Sequence, residues 1–308
     1  MVGSHLIEFY FAKGIKTVAT YYKPTVDIKE VEDKCDYVYC DVKNAHAVHQ
    51  LLTKHKPTVI YHLAAQSYPA LSWEIPIDTF ENNVNGTVHL FESIKKIRKE
   101  DAHYDPVVIV ACSSAEYGSS LTKYDYPVKE DAELLPLHPY GVSKVSQDLL
   151  SYQYFASFGI RTVRARIFNT TGVRKVNDVV SDFTKRAVQI EKGIADSFTC
   201  GNLYTKRAIT DVRDLITALY MLSEKAAYGD VYNISGAHIY QVKDIVEKIE
   251  AVTGDKLNPI VDQRLIRPQD EPIIYGNSDK LKAITGWQQT ITLDQTIKDM
   301  IDYWRWKL

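Results

Sequence analysis

Apolar residues along this chain recur with two periods that take turns. Leu6, Ile7, Tyr10 and Phe11 share a helical face in a segment that ends near Gly14. Residues 16–21 (KTVATY) and 36–42 (DYVYCDV) read as strands, 45–55 as a helix and 58–65 (TVIYHLAA) as a third strand. Residues 83–98 return to helical spacing, with Val84, Val88, Leu90, Phe91, Ile94 and Ile97 along the apolar stripe. The run 106–112 (PVVIVAC) is continuously apolar; 140–158 is helical and 161–168 is again a strand. Apolar strands alternating with helices predict an α/β fold, a doubly wound parallel sheet covered on both faces. Beyond residue 168 the alternation breaks up, as expected of a smaller carboxyl-terminal lobe woven from loops and helices.

Composition narrows the function classes. The 308 residues carry 37 basic and 39 acidic side chains, a net charge of −2, which argues against a nucleic-acid partner. No apolar run reaches membrane-span length, so no membrane partner is expected either. Cys35, Cys40, Cys112 and Cys200 form no C-x-x-C and no Cys/His cluster, which fits a reducing cytoplasm and argues against a structural metal. His46 and His49 are three residues apart with no accompanying carboxylate or thiol motif, and read as a solvated helix face.

Candidate chemistry gathers at two stretches, Cys112-Ser113-Ser114-Ala115-Glu116-Tyr117-Gly118 and His138-Pro139-Tyr140-Gly141-Val142-Ser143-Lys144. Tyr140 and Lys144 are one helical turn apart and share a face of a helix beginning near Pro139. A neighbouring ammonium is expected to lower the phenol's pKa toward neutrality. Ser113, delivered at the carboxyl end of an apolar strand, can bond the same substrate oxygen. Such a trio handles the proton of a carbonyl/alcohol pair beside a hydride carrier.

With these motifs the chain resembles the extended short-chain dehydrogenase/reductase superfamily over its whole length. The resemblance implies Ser113, Tyr140 and Lys144 as the catalytic triad, with Glu116 beside it. It also implies a Rossmann-type dinucleotide-binding domain at 1–169, joined by 208–236, and a sugar-nucleotide lobe at 170–207 and 237–308. Gly3-Ser4-His5-Leu6 is similar to the end of the family's glycine loop. The first strand and part of that loop are therefore expected to be missing, with translation starting upstream of Met1. Asp41-Val42, the segment Leu63-Ala64-Ala65-Gln66 and Asn83 match family segments that line the cofactor. At the end of the second expected strand, Thr20-Tyr21-Tyr22-Lys23 offers a lysine and no acid, which favours NADP over NAD.

For the substrate, Asn169 follows the strand at 161–168, and 180–193 is a basic amphipathic helix that includes Lys185. Gly201-Asn202-Leu203, Lys206-Arg207 and Arg267-Pro268-Gln269-Asp270 resemble the GDP-mannose branch, the 4,6-dehydratases and the 4-keto-6-deoxymannose reductases. Gln66, Ser114, Asn169, Lys185, Asn202, Arg207, Arg267 and Asp270 are the expected substrate contacts. Arginines suit a diphosphate, and a carboxylate suits a ribose diol. The dehydratases resemble S-T-S-E-x-Y-G, whose Glu removes the C5 proton. Here Ala115 stands in that place and Glu116 is one step later, which favours a reductase over a dehydratase, with a nucleotide-sugar epimerase as a further variant. A non-catalytic nucleotide-sugar sensor is the alternative from another class. Relatives assemble through the helices at 83–98 and 140–158, so a homodimer or tetramer is expected.

Overall fold

In the computed structural model, which describes residues 1–123, 127–266 and 271–308, helices and parallel strands alternate through the first half of the chain. Helix α1 (Val2–Ala12) precedes β1 (Val18–Tyr21) and β2 (Asp36–Tyr39), and α2 (Ala45–His55) precedes β3 (Val59–His62). The short α3 (Pro69–Glu74) and α4 (Pro76–Phe80) lead through a π turn at Glu81–Asn85 into α5 (Gly86–Glu100). Then come β4 (Val107–Ser113), α6 (Ser120–Lys123), α7 (Pro139–Phe158) and β5 (Arg161–Ile167). Boundaries have local causes. The Asn44 side chain accepts the His46 and Ala47 amides at the head of α2. Pro139 opens α7 behind a His138 cap, and Gly159, at φ 64°, closes it.

The second half carries β6 (Thr170–Thr171), α8 (Val179–Glu191), β7 (Thr199–Cys200), β8 (Lys206–Ala208), β9 (Thr210–Asp211) and α9 (Val212–Lys225). After β10 (Val231–Ile234) and β11 (Ile239–Gln241) follow α10 (Val242–Thr253), β12 (Ile260–Val261), β13 (Ile273–Ile274), α11 (Asp279–Thr285) and α12 (Leu293–Lys307).

The main sheet is parallel, in the order β10-β5-β4-β3, and its register sets Ser113 opposite Ile167. One face buries Val108, Val110 and Cys112 against Val48 and Leu52 of α2, Phe91 and Ile94 of α5, and Tyr154 of α7. The other buries Ile109, Val163 and Ala165 against Leu6 and Tyr10 of α1 and Leu215, Leu219 and Leu222 of α9. Each such fully buried side chain contributes roughly 1.5–3 kcal/mol. β1 pairs with β2 alone, also in parallel. β1 and β3 are not bonded to each other, and both line one long cleft. In a doubly wound nucleotide-binding sheet, the strand from which the order reverses lies between these two positions. The expected sheet is present, in two leaves.

The lobe has its own core, in which α8, α10 and α12 bury Phe183, Val188, Ile245, Ile249, Ile297 and Ile301 around Phe198. One expectation needs correcting. α11 and Trp287 fall in the range assigned to the lobe, yet Leu281 and Trp287 pack into the sheet's core, and Trp287 Nε1 donates to Asp214 O in α9 at 2.9 Å. Among the described residues no helix is long and apolar enough to cross a membrane.

Candidate active site

The carboxyl edge of the sheet opens into a cleft of about 2560 Å3 that runs between the sheet and the lobe. β4 ends there with Ser113, and α7 begins there with Tyr140 and Lys144, all three lining the cleft while largely buried. The Tyr140 amide is held by Ser72 Oγ of α3 at 3.1 Å. Gly141 allows the helix to approach this closely, because a Cβ at that position would stand 2.7 Å from Ala115 O. The Ser113 hydroxyl stands near enough to the Tyr140 phenol to favour its ionised form. Lys144 Nζ lies 5.8 Å from the Tyr140 ring and donates to Ala111 O at 2.8 Å and to Gln147 Oε1 at 2.7 Å.

The expected lowering of the phenol is not what this geometry produces. Burial dominates and pushes Tyr140 up to about 12, offset only in part by the Ser113 hydroxyl. Burial also lowers Lys144. Tyr140 is therefore a neutral phenol across the physiological range, a proton donor.

Behind the triad runs a polar network that the sequence did not reveal. Gln147 Nε2 donates to Thr87 Oγ1 at 2.8 Å, Thr87 Oγ1 donates to Asn83 O at 2.6 Å, and His62 Nε2 lies 2.9 Å from the same hydroxyl. Since the Thr87 proton goes to Asn83 O, His62 donates from Nε2 and is neutral. Burial, helped by Lys144, lowers its pKa to about 3. The only hint of Gln147 was its place three residues beyond Lys144 on the same helix.

Three expected contacts have other employment. Asn83 is fully buried; its Oδ1 accepts the Gln66 amide at 2.8 Å, and its Nδ2 donates to Gln66 O at 3.0 Å and Ser143 Oγ at 2.9 Å. It ties the loop after β3 to α7 and does not line the cleft. Gln66 lines the cleft, while its side-chain amide bonds Thr79 Oγ1 and the Tyr68 backbone, fixing the same loop. Glu116 is the third: it is fully buried and is not among the cleft-lining residues.

On the expected cofactor side, Gly3 brings the amino end of α1 to the cleft, where Leu63, Ala64, Ala65 and Val42 also lie. A helix amino end favours an anion, and burial, helped by the nearby Lys175 and Arg174 cations, lowers the Met1 amino group there to about 5. Val42 packs against Gly86, and Val42 O faces His89 Nδ1 at 2.9 Å. Asp41 turns back to accept the Lys43 amide at 3.0 Å and is not among the cleft-lining residues. Lys23 stands on the cleft rim at φ 44°, its ammonium 5.2 Å from the Tyr22 ring.

On the lobe side, Ser114, Asn169, Lys185, Asn202 and Arg207 all line the cleft. Asn169 Nδ2 is buried without a hydrogen-bond partner, a donor available to a ligand. Arg207 donates to the carbonyls of Lys206 and Glu271, and Asn202 Oδ1 accepts the Tyr204 amide. Lys185 lies over the Trp304 ring at 5.2 Å. Arg174 and Arg186 line the cleft as well, and neither stood out in the sequence. Arg267 and Asp270 lie outside the described residues.

A parallel α/β sheet with a Ser–Tyr–Lys set at its carboxyl edge defines a Rossmann-type short-chain dehydrogenase/reductase. The chain belongs to the GDP-mannose 4,6 dehydratase family, whose model matches residues 1–300, and is thus a nucleotide-sugar-modifying enzyme. Among curated relatives it is 24% identical over 250 residues to the GDP-6-deoxy-D-mannose reductase of Pseudomonas aeruginosa, covering 80% of each chain. It is 25% identical over 267 residues to GDP-mannose 4,6 dehydratase 2 of Arabidopsis thaliana, covering 86% of this chain and 70% of that one. In fold it is similar to RMD from Pseudomonas aeruginosa complexed with NADPH, with TM-score 0.84, 22% identity and coverage of 100% and 96%. It is likewise similar to the UDP-glucose 4-epimerase of Thermotoga maritima with UDP-glucose, with TM-score 0.90, 21% identity and the same coverage.

Proposed function

We propose that this protein reduces the 4-keto group of a GDP-4-keto-6-deoxy sugar with NADPH. The observation that carries the reading is the acid–base character around Ser113. The cleft there is lined by Ser114 and Ala115, Glu116 faces the interior, and Tyr140 is held neutral. Elimination of water from a hexose needs a carboxylate base at that position, whereas ketone reduction needs an acid, and the arrangement offers the acid. Bound NADPH would supply the hydride. Ser113 orients the carbonyl oxygen, and Tyr140 gives its proton to that oxygen as the hydride reaches C4. Lys144, anchored on Ala111 O and Gln147, then provides the positive charge that the resulting phenolate requires.

Lys23 with no acid beside it supports NADP over NAD. Asn169, Lys185 and Arg207 support a sugar diphosphonucleoside, with Arg267 and Asp270 as further expected contacts. Exposed Val142, Leu149 and Tyr152 on α7 support assembly as a homodimer or tetramer through that helix and α5, and the free Cys35, Cys40, Cys112 and Cys200 support a reducing cytoplasm.

The test is mass spectrometry of the sugar nucleotide after incubation with NADPH and the GDP-4-keto-6-deoxy hexose, and separately with GDP-mannose. The expected outcome is a gain of two hydrogens by the keto sugar and no change in GDP-mannose. Loss of water from GDP-mannose would instead make the protein a dehydratase. Silence toward both would favour a different sugar nucleotide or the sensor.

A further inference from the structure

Glu116 is the carboxyl nearest the reacting serine, yet the proposed reaction leaves it idle. Its surroundings are those of a built device. Ser113 and Glu116 form a reciprocal cap: Ser113 Oγ accepts the Ala115 amide at 3.2 Å, and Glu116 Oε1 accepts the Ser113 amide at 2.7 Å. Glu116 Oε2 lies 3.2 Å from Arg166 Nε on β5, and the same Nε donates to Asp148 Oδ2 at 3.0 Å. Asp148 is one turn beyond Lys144 on α7, and its other oxygen accepts from Arg164 at 2.6 Å. Arg166 is steadied further by Tyr117 Oη at 2.9 Å and Glu130 O at 2.9 Å, and Tyr117 in turn donates to Asn233 of β10 at 2.7 Å. Glu116, Asp148, Tyr117 and Asn233 are fully buried.

We propose that Glu116 is a positioning residue, packed with Asp148 of the Tyr140 helix against Arg166, that holds the Ser113 amide and so fixes the serine hydroxyl beside the Tyr140 phenol. The inference rests on Ser113 and Tyr140 being the reacting pair of the proposed function. Geometry carries it. Ser113 is the last residue of its strand, and its backbone turns there into a single 3-10 turn, so the strand's register alone does not fix its side chain. One acceptor on its amide does, and that acceptor is tied to the helix bearing the other two members of the triad. Desolvation and the neighbouring Asp148 both raise the Glu116 carboxyl well above its ordinary value. A neutral carboxyl can accept from Ser113 on one oxygen and face Asp148 with a proton on the other, which leaves Arg166 paired with Asp148. A charge as buried as that of Arg166 costs several kcal/mol to desolvate unless it is paired, so the cluster stands or falls as a unit.

The test needs no substrate, which separates its failure from that of the proposed reaction. Cys112–Ser113 is the only Cys–Ser step in the chain, so 13C′-cysteine with 15N-serine labelling isolates the Ser113 amide in an NMR spectrum. Selective 13Cζ-tyrosine labelling, assigned through Tyr140→Phe, reports the phenol. In Glu116→Ala the Ser113 amide resonance should move upfield and exchange faster, and the Tyr140 resonance should move with it. In Glu116→Gln, whose amide oxygen replaces Oε1 and whose NH2 faces Asp148, both signals should stay close to those of the wild type. An unmoved Ser113 amide in Glu116→Ala overturns the proposal, as does a displaced amide with an unchanged Tyr140. If Glu116→Ala does not fold, Glu116→Gln decides alone, because a displacement of one resonance without the other excludes the coupling. Where the wild type turns over, kcat should fall at least tenfold in Glu116→Ala with the Km for cofactor little changed.

Discussion

Tyr140 shows how burial can outweigh a neighbouring charge. The Tyr-x-x-x-Lys spacing promised a phenol pulled toward neutrality, but Lys144 is spent on two acceptors and sits 5.8 Å from the ring, so desolvation prevails. As a donor, the group works below its pKa of about 12 and fails above it, so reduction should show no loss between pH 7 and 10 attributable to this residue. Tyr140→Phe keeps the ring and removes the proton. Turnover should fall by roughly 10²–10⁴-fold while nucleotide binding, followed by calorimetry, stays near normal. His62 makes a prediction about stability. Its folded pKa is about 3 against an unfolded 6.5, so between those values the unfolded chain binds the extra proton and stability falls with falling pH. The loss between pH 7 and pH 5 should be about 2 kcal/mol from this residue alone. Urea denaturation of His62→Gln at both pH values should show a difference smaller by that amount.

Helix α7 carries the site, and its register depends on a glycine. Gly141 faces Ala115 O and Pro136, and an added methyl would meet them at 2.7 and 2.9 Å. Gly141→Ala should therefore lift the helix from the strand end that bears Ser113, costing about 1–3 kcal/mol of stability. The separation of Ser113 from Tyr140 should grow, and kcat should drop more than Km rises; steady-state kinetics beside a melting curve would check both. The sequence made the elements legible because burial on both faces writes itself as apolar runs, and β4 is the clearest case. It also brought Ser113, Tyr140 and Lys144 together, since strand end and helix start are readable from apolar runs and a proline. Where it fell short, the cause was side-chain competition within the fold. Asn83 looks like a ligand contact in a motif, but its side chain is spent on the Gln66 backbone, and Gln66, though it lines the cleft, spends its own on Thr79 and Tyr68. Glu116 was placed beside the triad by spacing, and one residue of backbone turn sends it inward.

At the scale of the whole molecule, the sheet in two leaves is the feature that governs stability. The β1–β2 leaf shares no ladder with β3, so other contacts hold it. Several of these are polar: Tyr303 Oη to Glu30 at 3.1 Å and Lys307 Nζ to Glu30 at 2.8 Å from α12, and Lys34 Nζ to Glu8 of α1 at 3.2 Å. Exposed polar contacts of this kind contribute little. The leaf is thus expected to open more readily than the main sheet, and it carries Lys23 at the expected cofactor rim. Hydrogen exchange can see this amide by amide. Bonds to Thr17 O and Tyr21 O aim those residues at β2, and the bond to Thr58 O aims that residue at β4. By alternation, the backbones of Val18 and Thr20, and of Val59 and Tyr61, face the cleft. Their amides should exchange far faster than those of Ile109 and Val110, which lie in the central strand between two partners. Equal protection at all six would mean that β1 and β3 close on each other in solution, and the cofactor rim would then be as rigid as the core of the sheet.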